Sequence, residues 1–553
     1  MFKNMKISLM NGLKYFLAQK LNLASWKISC FLALFFEVIL NLSLWRFASG
    51  SITINSTKDL FFAMSLPLFI FIGLYLIFTI LLWPYIYKPI LTILIIVSSV
   101  ANYVMFQYGI FLDTNMMRNL FETNQREALE YINLSGLIWL VLTGLLPVCL
   151  LFKIKLKFKN IWSEIKSKII SLILCLAVLG LLASTLYQTY IIFGRNNHQI
   201  TRLINPTNYL SGTIHYFLQQ SRAKRVVKSL DPEASRQPNS ETNYTVFVLI
   251  VGETARAMNF SLNGYPRPTN PKLANQDVIS FINVTSSGTD TSVSVPAMFS
   301  RFPRSNFDLT EANYTENIID LIKQVGYEVI WLENDNGCKR VCDRVFTRNM
   351  VAENDPAYCD NLVCYDEVLI KNFKNILDDI VQDTVIILHT IGSHGPAYYK
   401  RYPANFNIFK PTCETSEIQN CAAQDIINTY DNTILYTDHI INESIVTLQK
   451  YPQFKTSLLY LSDHGESLGE NGIYLHGLPF IIAPAEQINV PLILWFSESM
   501  KTNQKISYDC LKKNISQPIS HDFLFHSLAS LLSIKTKWYE KELDLFKPCQ
   551  IDP

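Results

Sequence analysis

Charged side chains are scarce in this sequence. Only 17% of its 553 residues are Asp, Glu, Lys or Arg, whereas 49% are hydrophobic. Soluble domains average about 25% charged residues, so this balance excludes an ordinary soluble enzyme and predicts that part of the chain lies in a membrane. The formal net charge is +2. No basic stripe interleaved with aromatic residues appears, which argues against a nucleic-acid-binding protein.

The scarcity of charge is most pronounced near the N-terminus. Five apolar stretches approach or exceed the roughly 18 to 20 residues that span a bilayer: Cys30–Ala48, Phe61–Pro84, Pro89–Leu112, Leu134–Phe152 and Ile169–Phe193. The first is not a cleaved signal peptide, because Glu37, Asn41 and Arg46 interrupt it and no small-residue cleavage site follows. We therefore predict a five-helix transmembrane domain over residues 1–193.

Lysines mark the segments before the first span, between the second and third, and between the fourth and fifth. They are Lys3, Lys6, Lys14, Lys20, Lys27, Lys88, Lys153, Lys155, Lys157, Lys159, Lys166 and Lys168. The positive-inside rule places these segments and the N-terminus in the cytoplasm. An odd number of spans then places the chain after Phe193 on the opposite side, which for a bacterial inner membrane is the periplasm.

The spacing C-x-x-C, common in zinc sites, is also missing. Three of the 11 cysteines lie in the spans, and the other eight all follow residue 330. Six form close pairs: Cys338/Cys342, Cys359/Cys364 and Cys413/Cys421. Such pairs can bind zinc, but without C-x-x-C spacing disulfides are favoured, and disulfides indicate an oxidising compartment. Cys510 and Cys549 are expected to form a fourth bond.

Residues 194–242 are polar and irregular. They are predicted to form short amphipathic helices and a Pro/Ser/Asn-rich linker that bridge to a catalytic domain over residues 243–553. Within that domain, "TVFVLIVGETAR", "DTVIILHTIGSHGP" and "TSLLYLSDHGESLGE" share one pattern. In each, an apolar run of strand length ends at acidic or histidine residues.

Ligands bind at the carboxyl ends of the strands in open α/β sheets. The three runs are therefore expected to bring together Glu253, His389 or His394, and Asp463 with His464. Any one of these clusters alone is more often a helix N-terminal charge or a loop, but their coincidence at strand ends is difficult to attribute to chance. Two carboxylates and an imidazole suit Zn²⁺, which is commonly four-coordinate with oxygen and nitrogen ligands.

A hydroxyl-rich stretch, "NVTSSGTDTSVSVPAMFS", offers the missing fourth ligand. It runs from Asn283 to Ser300 and carries almost no charge. A serine or threonine hydroxyl placed on zinc loses its proton near neutral pH and becomes a nucleophile.

Together these motifs resemble a known family. "VGETAR", "GTDTSVSVPAMFS", "HTIGSHGPAYYKRYP" and "SDHGESLGENGIYLHG", behind five spans, resemble the lipid A phosphoethanolamine transferases, including the mobile colistin-resistance enzymes. The resemblance covers nearly the whole chain. It implies an α/β periplasmic domain of alkaline-phosphatase/sulfatase-like fold that holds Zn²⁺, in a monomer that acts on lipids of the inner membrane.

The resemblance also implies the metal ligands and the nucleophile. It places Zn²⁺ on Glu253, Asp463, His464 and Thr291. Thr291 is the second threonine of the G-T-x-T element and is the implied nucleophile, in preference to Thr289.

Further residues are implied to contact substrate or to move protons. His394 and His476 contact the headgroup or a second zinc and act as catalytic acid and base, and a lysine contact corresponds to Lys339. Lys400 and Arg401 are candidate cationic contacts for an acceptor phosphate, although such residues are more often solvated.

One helix of the membrane half is implied to contribute to the substrate site. Asn119, Thr123 and Glu127 are spaced at i, i+4 and i+8, which places them on one helical face. In the family this face lines the phosphoethanolamine site. From the sequence alone, a solvated face of an interfacial helix is an equal alternative.

The sequence departs from the family at one point. Many members enclose the nucleophile with a disulfide, whereas Ser287 and Ala297 stand at the corresponding positions here. The rigidity of the loop must then come from other contacts, or be lower.

The predicted activity is transfer of phosphoethanolamine from phosphatidylethanolamine to a lipid A phosphate, through a phosphothreonine-type intermediate. The product would bind cationic peptides such as polymyxin less well. Alternatives are transfer to Kdo or heptose of the core, or a periplasmic phosphodiesterase or sulfatase-like hydrolase, although the sulfatase motif C-x-P-x-R is absent. A lipoteichoic-acid-type polymerase or a membrane scaffold fits the motifs less well.

Overall fold

The structure is a computed structural model that describes residues 21–52, 54, 56–122, 132–158, 160–221, 226–236, 243–360, 363–503 and 506–551. The chain forms two compact units. The first comprises Met1–Met117 and Ile132–Ile214, and the second comprises Arg118–Tyr131 and His215–Pro553.

The first unit is built of apolar helices. Four are long and apolar enough to cross a membrane, and a bent pair makes a fifth span if it counts as one: Thr57–Leu81, Tyr87–Tyr108, Leu134–Lys153, Ile161–Tyr187, and Ser25–Val38 with Leu42–Ser51. The last long helix continues to Asn196. Large apolar side chains remain exposed on these helices, for example Met64 at 69% and Ile80 at 68%. Such surfaces are suited to lipid rather than to water.

The first predicted span, Cys30–Ala48, is not one straight helix but a pair bent by 59°. Asn41 lies at the break and its side-chain amide donates to the carbonyl oxygen of Asn205 at 3.1 Å. In return, the backbone N–H of Asn205 donates to Asn41 Oδ1 at 2.8 Å, and its side chain donates to the carbonyl oxygen of Leu40 at 2.7 Å. Polar backbone groups freed by a break need such partners inside a membrane.

Two of the predicted loop lysines bind helix ends. Lys168 Nζ donates to the carbonyl oxygens of Thr79 at 2.5 Å and Leu82 at 2.8 Å. Lys88 Nζ donates to the carbonyl oxygen of Phe152 at 3.0 Å. A cation is favourable at a helix C-terminus, where carbonyl groups lack intrahelical partners. These two lysines therefore stabilise helix ends, in addition to contributing positive charge to the segments between the spans.

Along the chain, the last of these helices is followed by a 3-10 helix, His198–Leu203, and by a helix, Thr207–Ser221. A further helix covers Thr114–Glu122. Residues 222–225 and 237–242 of the predicted bridge lie outside the described residues.

A seven-stranded sheet organises the second unit. Its strands, β1 to β7 in chain order, are Thr245–Gly252, Ile279–Phe281, Glu328–Glu333, Phe346–Asn349, Thr384–His389, Lys455–Ser462 and Leu492–Phe496. Their order in the sheet is β2-β7-β6-β1-β5-β3-β4. The five strands from β6 to β4 are parallel, whereas β7 is antiparallel to β6, and the edge strand β2 is antiparallel to β7. Val246–Val251 of central β1 is fully buried, as expected for a parallel sheet covered on both faces.

Helices pack on this sheet. The longer ones are Thr291–Phe299, Ile318–Gln324, Glu367–Asp378, Ala423–Leu448 and Asp522–Leu531, and the shorter ones are Leu309–Asn313, Met350–Glu353, Ala485–Ile488, Glu498–Asn503 and Tyr508–Lys513. The core includes Trp331, whose ring lies 5.6 Å from that of Phe299 and 5.7 Å from that of His389.

Four disulfide bonds crosslink the second unit. They are Cys338–Cys342, Cys359–Cys364, Cys413–Cys421 and Cys510–Cys549, with sequence separations of 4, 5, 8 and 39 residues. The three remaining cysteines are free.

We expect the Cys510–Cys549 bond to contribute most to stability. It closes the longest loop, and in the chain-entropy model a bond of this loop length raises the free energy of unfolding by about 3–4 kcal/mol. The variant Cys510→Ser/Cys549→Ser is expected to have a lower Tm, in detergent, than the matched control Cys413→Ser/Cys421→Ser. An equal or smaller decrease than in the control would contradict the loop-length argument.

Candidate active site

The carboxyl ends of four parallel strands lie in register at one edge of the sheet. Gly252 at the end of β1 pairs with Ser462 at the end of β6. His389 at the end of β5 pairs with Val251 on one side and with Glu333 of β3 on the other. The residues that follow these strands therefore emerge side by side, because parallel strands end at a common edge.

The four predicted metal ligands come together at this edge. Donor atoms of Glu253, Asp463 and His464 all lie within 4.8 Å of one another, and all three side chains are fully buried. His464 Nε2 lies 3.3 Å from Asp463 Oδ2 and 3.6 Å from Glu253 Oε1. Thr291 Oγ1 lies 3.2 Å from Glu253 Oε2 and 3.4 Å from His464 Nε2.

The donor chemistry of this cluster fits a divalent cation. Asp463 Oδ2 is buried and has no hydrogen-bond partner. His464 Nδ1 lies 2.9 Å from the carbonyl oxygen of Gly465, so Nδ1 carries the proton and the lone pair of Nε2 faces the carboxylates. Two carboxylates, an imidazole and a hydroxyl form a set that binds Zn²⁺.

Burial also changes the acidity of these groups. Burial, and then the adjacent Asp463 carboxyl, raises the pKa of Glu253. Burial raises the pKa of Asp463 to about 7. Burial and the neighbouring His476 lower the pKa of His464. A bound cation favours the ionised carboxylates and the neutral imidazole.

Backbone geometry brings the loops after β1 and β5 close to the cluster. Thr254 has a positive φ of 58°, and its hydroxyl donates to Glu253 Oε1 at 2.5 Å. A non-glycine residue in this conformation is strained, and such strain concentrates at functional sites. Gly392 has φ of +50°, and a Cβ there would lie 2.5 Å from the carbonyl oxygen of Glu253. Glycine in "HTIGSH" therefore permits the close approach of the two loops.

Thr291 is the first residue of the helix Thr291–Phe299. Unpaired N–H groups and the positive end of the helix dipole lie at this terminus, where they favour negative charge. Thr289 differs: it is 4% exposed, and its hydroxyl donates to the carbonyl oxygen of Leu478 at 2.6 Å. Of the two threonines, Thr291 is the one whose hydroxyl lies against the predicted metal donors.

Hydrogen bonds hold the loop that lacks the family's disulfide. The backbone N–H of Ser287 donates to His521 Nδ1 at 3.1 Å, and the Ser287 hydroxyl donates to Asp522 Oδ1 at 3.3 Å. His521 Nε2 donates in turn to the carbonyl oxygen of Ser462 at 3.0 Å. Burial lowers the pKa of His521 to about 4, so its neutral ring can accept at Nδ1. His521 was not predicted from the sequence.

His394 and His476 lie beside the metal donors. The His476 ring centroid is 4.4 Å from that of His464 and 5.5 Å from that of His394. His476 Nδ1 lies 3.3 Å from Glu466 Oε2. Burial raises the pKa of Glu466 to about 8. Glu466, which follows Asp463 in "SDHGES", is a site residue that sequence analysis missed.

His389 forms a separate arrangement. Its Nδ1 lies 2.9 Å from Glu333 Oε2, and the same oxygen accepts from Trp331 Nε1 at 2.9 Å. Although burial lowers the pKa of His389, the Glu333 carboxylate outweighs it and raises the pKa to about 9. His389 thus lies at the predicted edge with partners that the sequence did not indicate.

Lys339 lines a pocket within the second unit together with Arg118, Glu122, Ser292 and Arg340. Its Nζ donates to the carbonyl oxygen of Asn336 at 2.9 Å. Burial raises the pKa of Glu122 against the opposing effect of the three cations. The pocket is therefore cationic, and Ser292, the residue after Thr291, forms part of its wall.

The other residues predicted to contact substrate do not all line this pocket. Asn119 lies in the helix Thr114–Glu122, whereas Thr123 and Glu127 lie outside the described residues. Arg401 is only 2% exposed, and its Nε donates to the carbonyl oxygen of His394 at 2.6 Å. This contact positions the His394 loop, and the expected contact of Arg401 with an acceptor phosphate stays a prediction.

Comparisons with known proteins agree with this architecture. The sulfatase family model matches residues 245–534, and the model described as phosphoethanolamine transferase EptA/EptB matches residues 70–221. Phosphoethanolamine transferase EptA of Escherichia coli K12 is 38% identical over 537 residues, which cover 96% of this chain and 97% of that protein. Phosphatidylethanolamine transferase Mcr-1 of Escherichia coli is 34% identical, with 87% and 92% covered.

A solved structure extends the similarity to the whole fold. The integral membrane lipooligosaccharide phosphoethanolamine transferase A (EptA) of Neisseria meningitidis superposes with a TM-score of 0.93 at 34% identity, covering 96% of this chain and all of that one. Apolar membrane helices and a soluble domain of sulfatase type thus occur in the same order in both. The chain belongs to the lipid A phosphoethanolamine transferase family.

Proposed function

We propose that this protein transfers phosphoethanolamine from phosphatidylethanolamine to a phosphate group of lipid A, through a covalent intermediate on Thr291. One observation carries the proposal: the Thr291 hydroxyl lies against three buried metal donors, at a helix N-terminus. Zn²⁺ held by Glu253, Asp463, His464 and Thr291 would increase the acidity of the hydroxyl and neutralise charge on the phosphoryl oxygens.

The transfer takes two steps. Thr291 Oγ attacks the phosphorus of phosphatidylethanolamine, the bond from phosphorus to the glycerol oxygen breaks, and diacylglycerol leaves with a proton. A phosphate oxygen of lipid A then attacks the same phosphorus, and the bond to Thr291 breaks. The proton that the attacking lipid A phosphate gives up passes to Thr291, so the enzyme returns to its starting state.

Two histidines supply the proton transfers. The rings of His394 and His476 adjoin the donor cluster, within reach of a leaving or attacking oxygen on Thr291-bound phosphorus. Glu466 holds His476 through Nδ1 and thereby fixes the orientation of its ring. A positioned imidazole typically contributes 10²–10⁴-fold to such steps, as an order of magnitude.

The cationic pocket beside Thr291 is proposed to bind substrate phosphate. Lys339, Arg118 and Arg340 supply the charge, because lysine and arginine bind phosphate through charge-assisted hydrogen bonds. Asn119, with Thr123 and Glu127 beyond the described residues, is proposed to complete the headgroup site.

We further propose that the protein is a monomer of the bacterial inner membrane with its N-terminus in the cytoplasm. Its domains are a transmembrane part at 1–193, a bridge at 194–242 and a periplasmic catalytic part at 243–553. Four disulfides support an oxidising location for the catalytic part. Lysines at one end of the spans support the orientation.

Expression in a polymyxin-sensitive Gram-negative host tests the function. We expect lipid A to gain phosphoethanolamine by mass spectrometry, and survival at higher polymyxin concentration, because the new amine offsets the phosphate charge that cationic peptides bind. The matched control carries Thr291→Ala. Phosphoethanolamine found only on Kdo or heptose would overturn the acceptor but keep the chemistry. Release of labelled headgroup to water alone would indicate a hydrolase.

A further inference from the structure

A second group of buried donor atoms adjoins the proposed zinc site. One ligand atom each from Glu253, Asp335 and His389 lie within 4.8 Å of one another. Glu253 and His389 are fully buried, and Asp335 is 4% exposed. Glu253 belongs to both groups, so the two groups share one carboxylate.

Three atoms of this group are buried without a hydrogen-bond partner: both carboxylate oxygens of Asp335, and Nε2 of His389. Each buried polar atom left unpaired costs about 1–3 kcal/mol. A fold that keeps three such atoms at one place is expected to receive their partner from outside the chain. Because the atoms are two carboxylate oxygens and an imidazole nitrogen, a metal ion that takes the place of the proton on Nε2 and accepts their lone pairs suits all three.

The surrounding hydrogen bonds orient the imidazole as in a metal site. His389 Nδ1 is held by Glu333, and Glu333 is itself fixed by Trp331 Nε1 at 2.9 Å and by the backbone N–H of Asp335 at 2.8 Å. Metal-binding histidines almost always donate their other ring nitrogen to a carboxylate or a carbonyl group. His464 shows the same arrangement, with a carbonyl as the partner of Nδ1.

We propose that Glu253, Asp335 and His389 bind a second divalent metal ion, Zn²⁺ or a similar transition metal, with Glu253 bridging the two ions. Two carboxylates and an imidazole match the ligand preference of such ions. Full burial keeps this ion away from substrate, so its role is to hold Glu253 ionised and in place. The inference rests on the proposed zinc site only through the shared carboxylate.

Metal stoichiometry of the full-length protein in detergent tests this site. The protein is stripped with chelator, reloaded with excess Zn²⁺, dialysed and analysed for zinc per chain. We expect two equivalents in the wild type, one in Asp335→Asn and one in Asp463→Asn. The control Asp438→Asn removes another buried carboxylate, one that accepts from the backbone N–H groups of Lys272 and Leu273, and is expected to keep two.

Each outcome is decisive. One equivalent in both wild type and Asp335→Asn would overturn the proposal. One equivalent that is lost in Asp335→Asn but kept in Asp463→Asn would instead overturn the first zinc site. Should Asp335→Asn fail to fold, His389→Gln removes the nitrogen ligand at similar volume and carries the same expectation.

A spectroscopic measurement tests the second site without counting zinc ions. Loaded with Mn²⁺, the wild type is expected to show the electron paramagnetic resonance signal of an exchange-coupled pair, because a carboxylate bridges ions about 3.5–4 Å apart in two-metal sites. Asp335→Asn is expected to show only an uncoupled Mn²⁺ signal. An uncoupled signal in the wild type would contradict the bridge.

Discussion

Replacing Thr291 by alanine is expected to reduce transfer by at least about 10³-fold, as removal of a covalent nucleophile does in other enzymes. The substitution takes away the oxygen that lies 3.2 Å from Glu253 Oε2, whereas the side chain is small and the first turn of its helix is held by the backbone, with the N–H of Ser294 donating to the carbonyl oxygen of Asp290 at 2.9 Å. The fold is therefore expected to persist, with an unchanged Tm. Transfer is measured with labelled phosphatidylethanolamine and lipid A.

Two control variants separate the nucleophile from its surroundings. Thr291→Ser keeps the hydroxyl and is expected to retain partial activity. Thr289→Ala removes the hydrogen bond to the carbonyl oxygen of Leu478, worth about 1 kcal/mol of stability, and is expected to retain measurable activity. Equal loss at both threonines, or a phosphoethanolamine adduct found on another residue by mass spectrometry, would refute the assignment.

Removing zinc is expected to abolish activity and to lower the Tm by an amount that grows as the pH rises from about 4 to about 7. Asp463 has a folded-state pKa of about 7, well above the ordinary value near 4. The unfolded chain therefore loses this proton first, and the metal-free protein loses stability as pH rises from about 4 to 7. The metal-bound protein is expected not to lose this stability, because bound zinc would keep the carboxylate ionised and its folded-state pKa low.

Thermal unfolding with and without a zinc chelator, across this pH range, measures the difference. Addition of Zn²⁺ is expected to restore both Tm and activity. Asp463→Asn, which has no titrating carboxyl at this position, is expected to show a smaller dependence on pH. A chelator effect that is constant with pH, or activity that survives chelation, would contradict a catalytic metal held by these residues.

Local patterns in the sequence account for much of the architecture. The length of an apolar run can be read from the sequence and compared with the thickness of a bilayer, so the membrane helices were predictable. The bend in the first span was not, because Asn41 is satisfied by Asn205, a residue 164 positions later. No local pattern reports a partner at that distance.

The same distinction applies to the site. Glu253, Asp463 and His464 follow strands at once, so strand prediction alone brings them to one edge. Asp335 stands in "WLENDNG", which offers one carboxylate in the last residue of β3 and then one carboxylate and two amides after the strand. Choosing among them requires the register of β3 against β5, which the sequence does not contain. His521 likewise reaches Ser287 across 234 positions.

The disulfide pattern has a consequence for biogenesis. The eight cysteines after residue 330 pair in chain order: the first bonds to the second, the third to the fourth, the fifth to the sixth and the seventh to the eighth. Their separations are 4, 5, 8 and 39 residues. An oxidase that meets the polypeptide as it emerges, N-terminal end first, therefore finds the native partner as the next thiol to appear. Close thiols also meet fastest, because loop closure costs least entropy over short separations. Maturation of this domain is thus expected to require an oxidant but no reshuffling of mispaired cysteines.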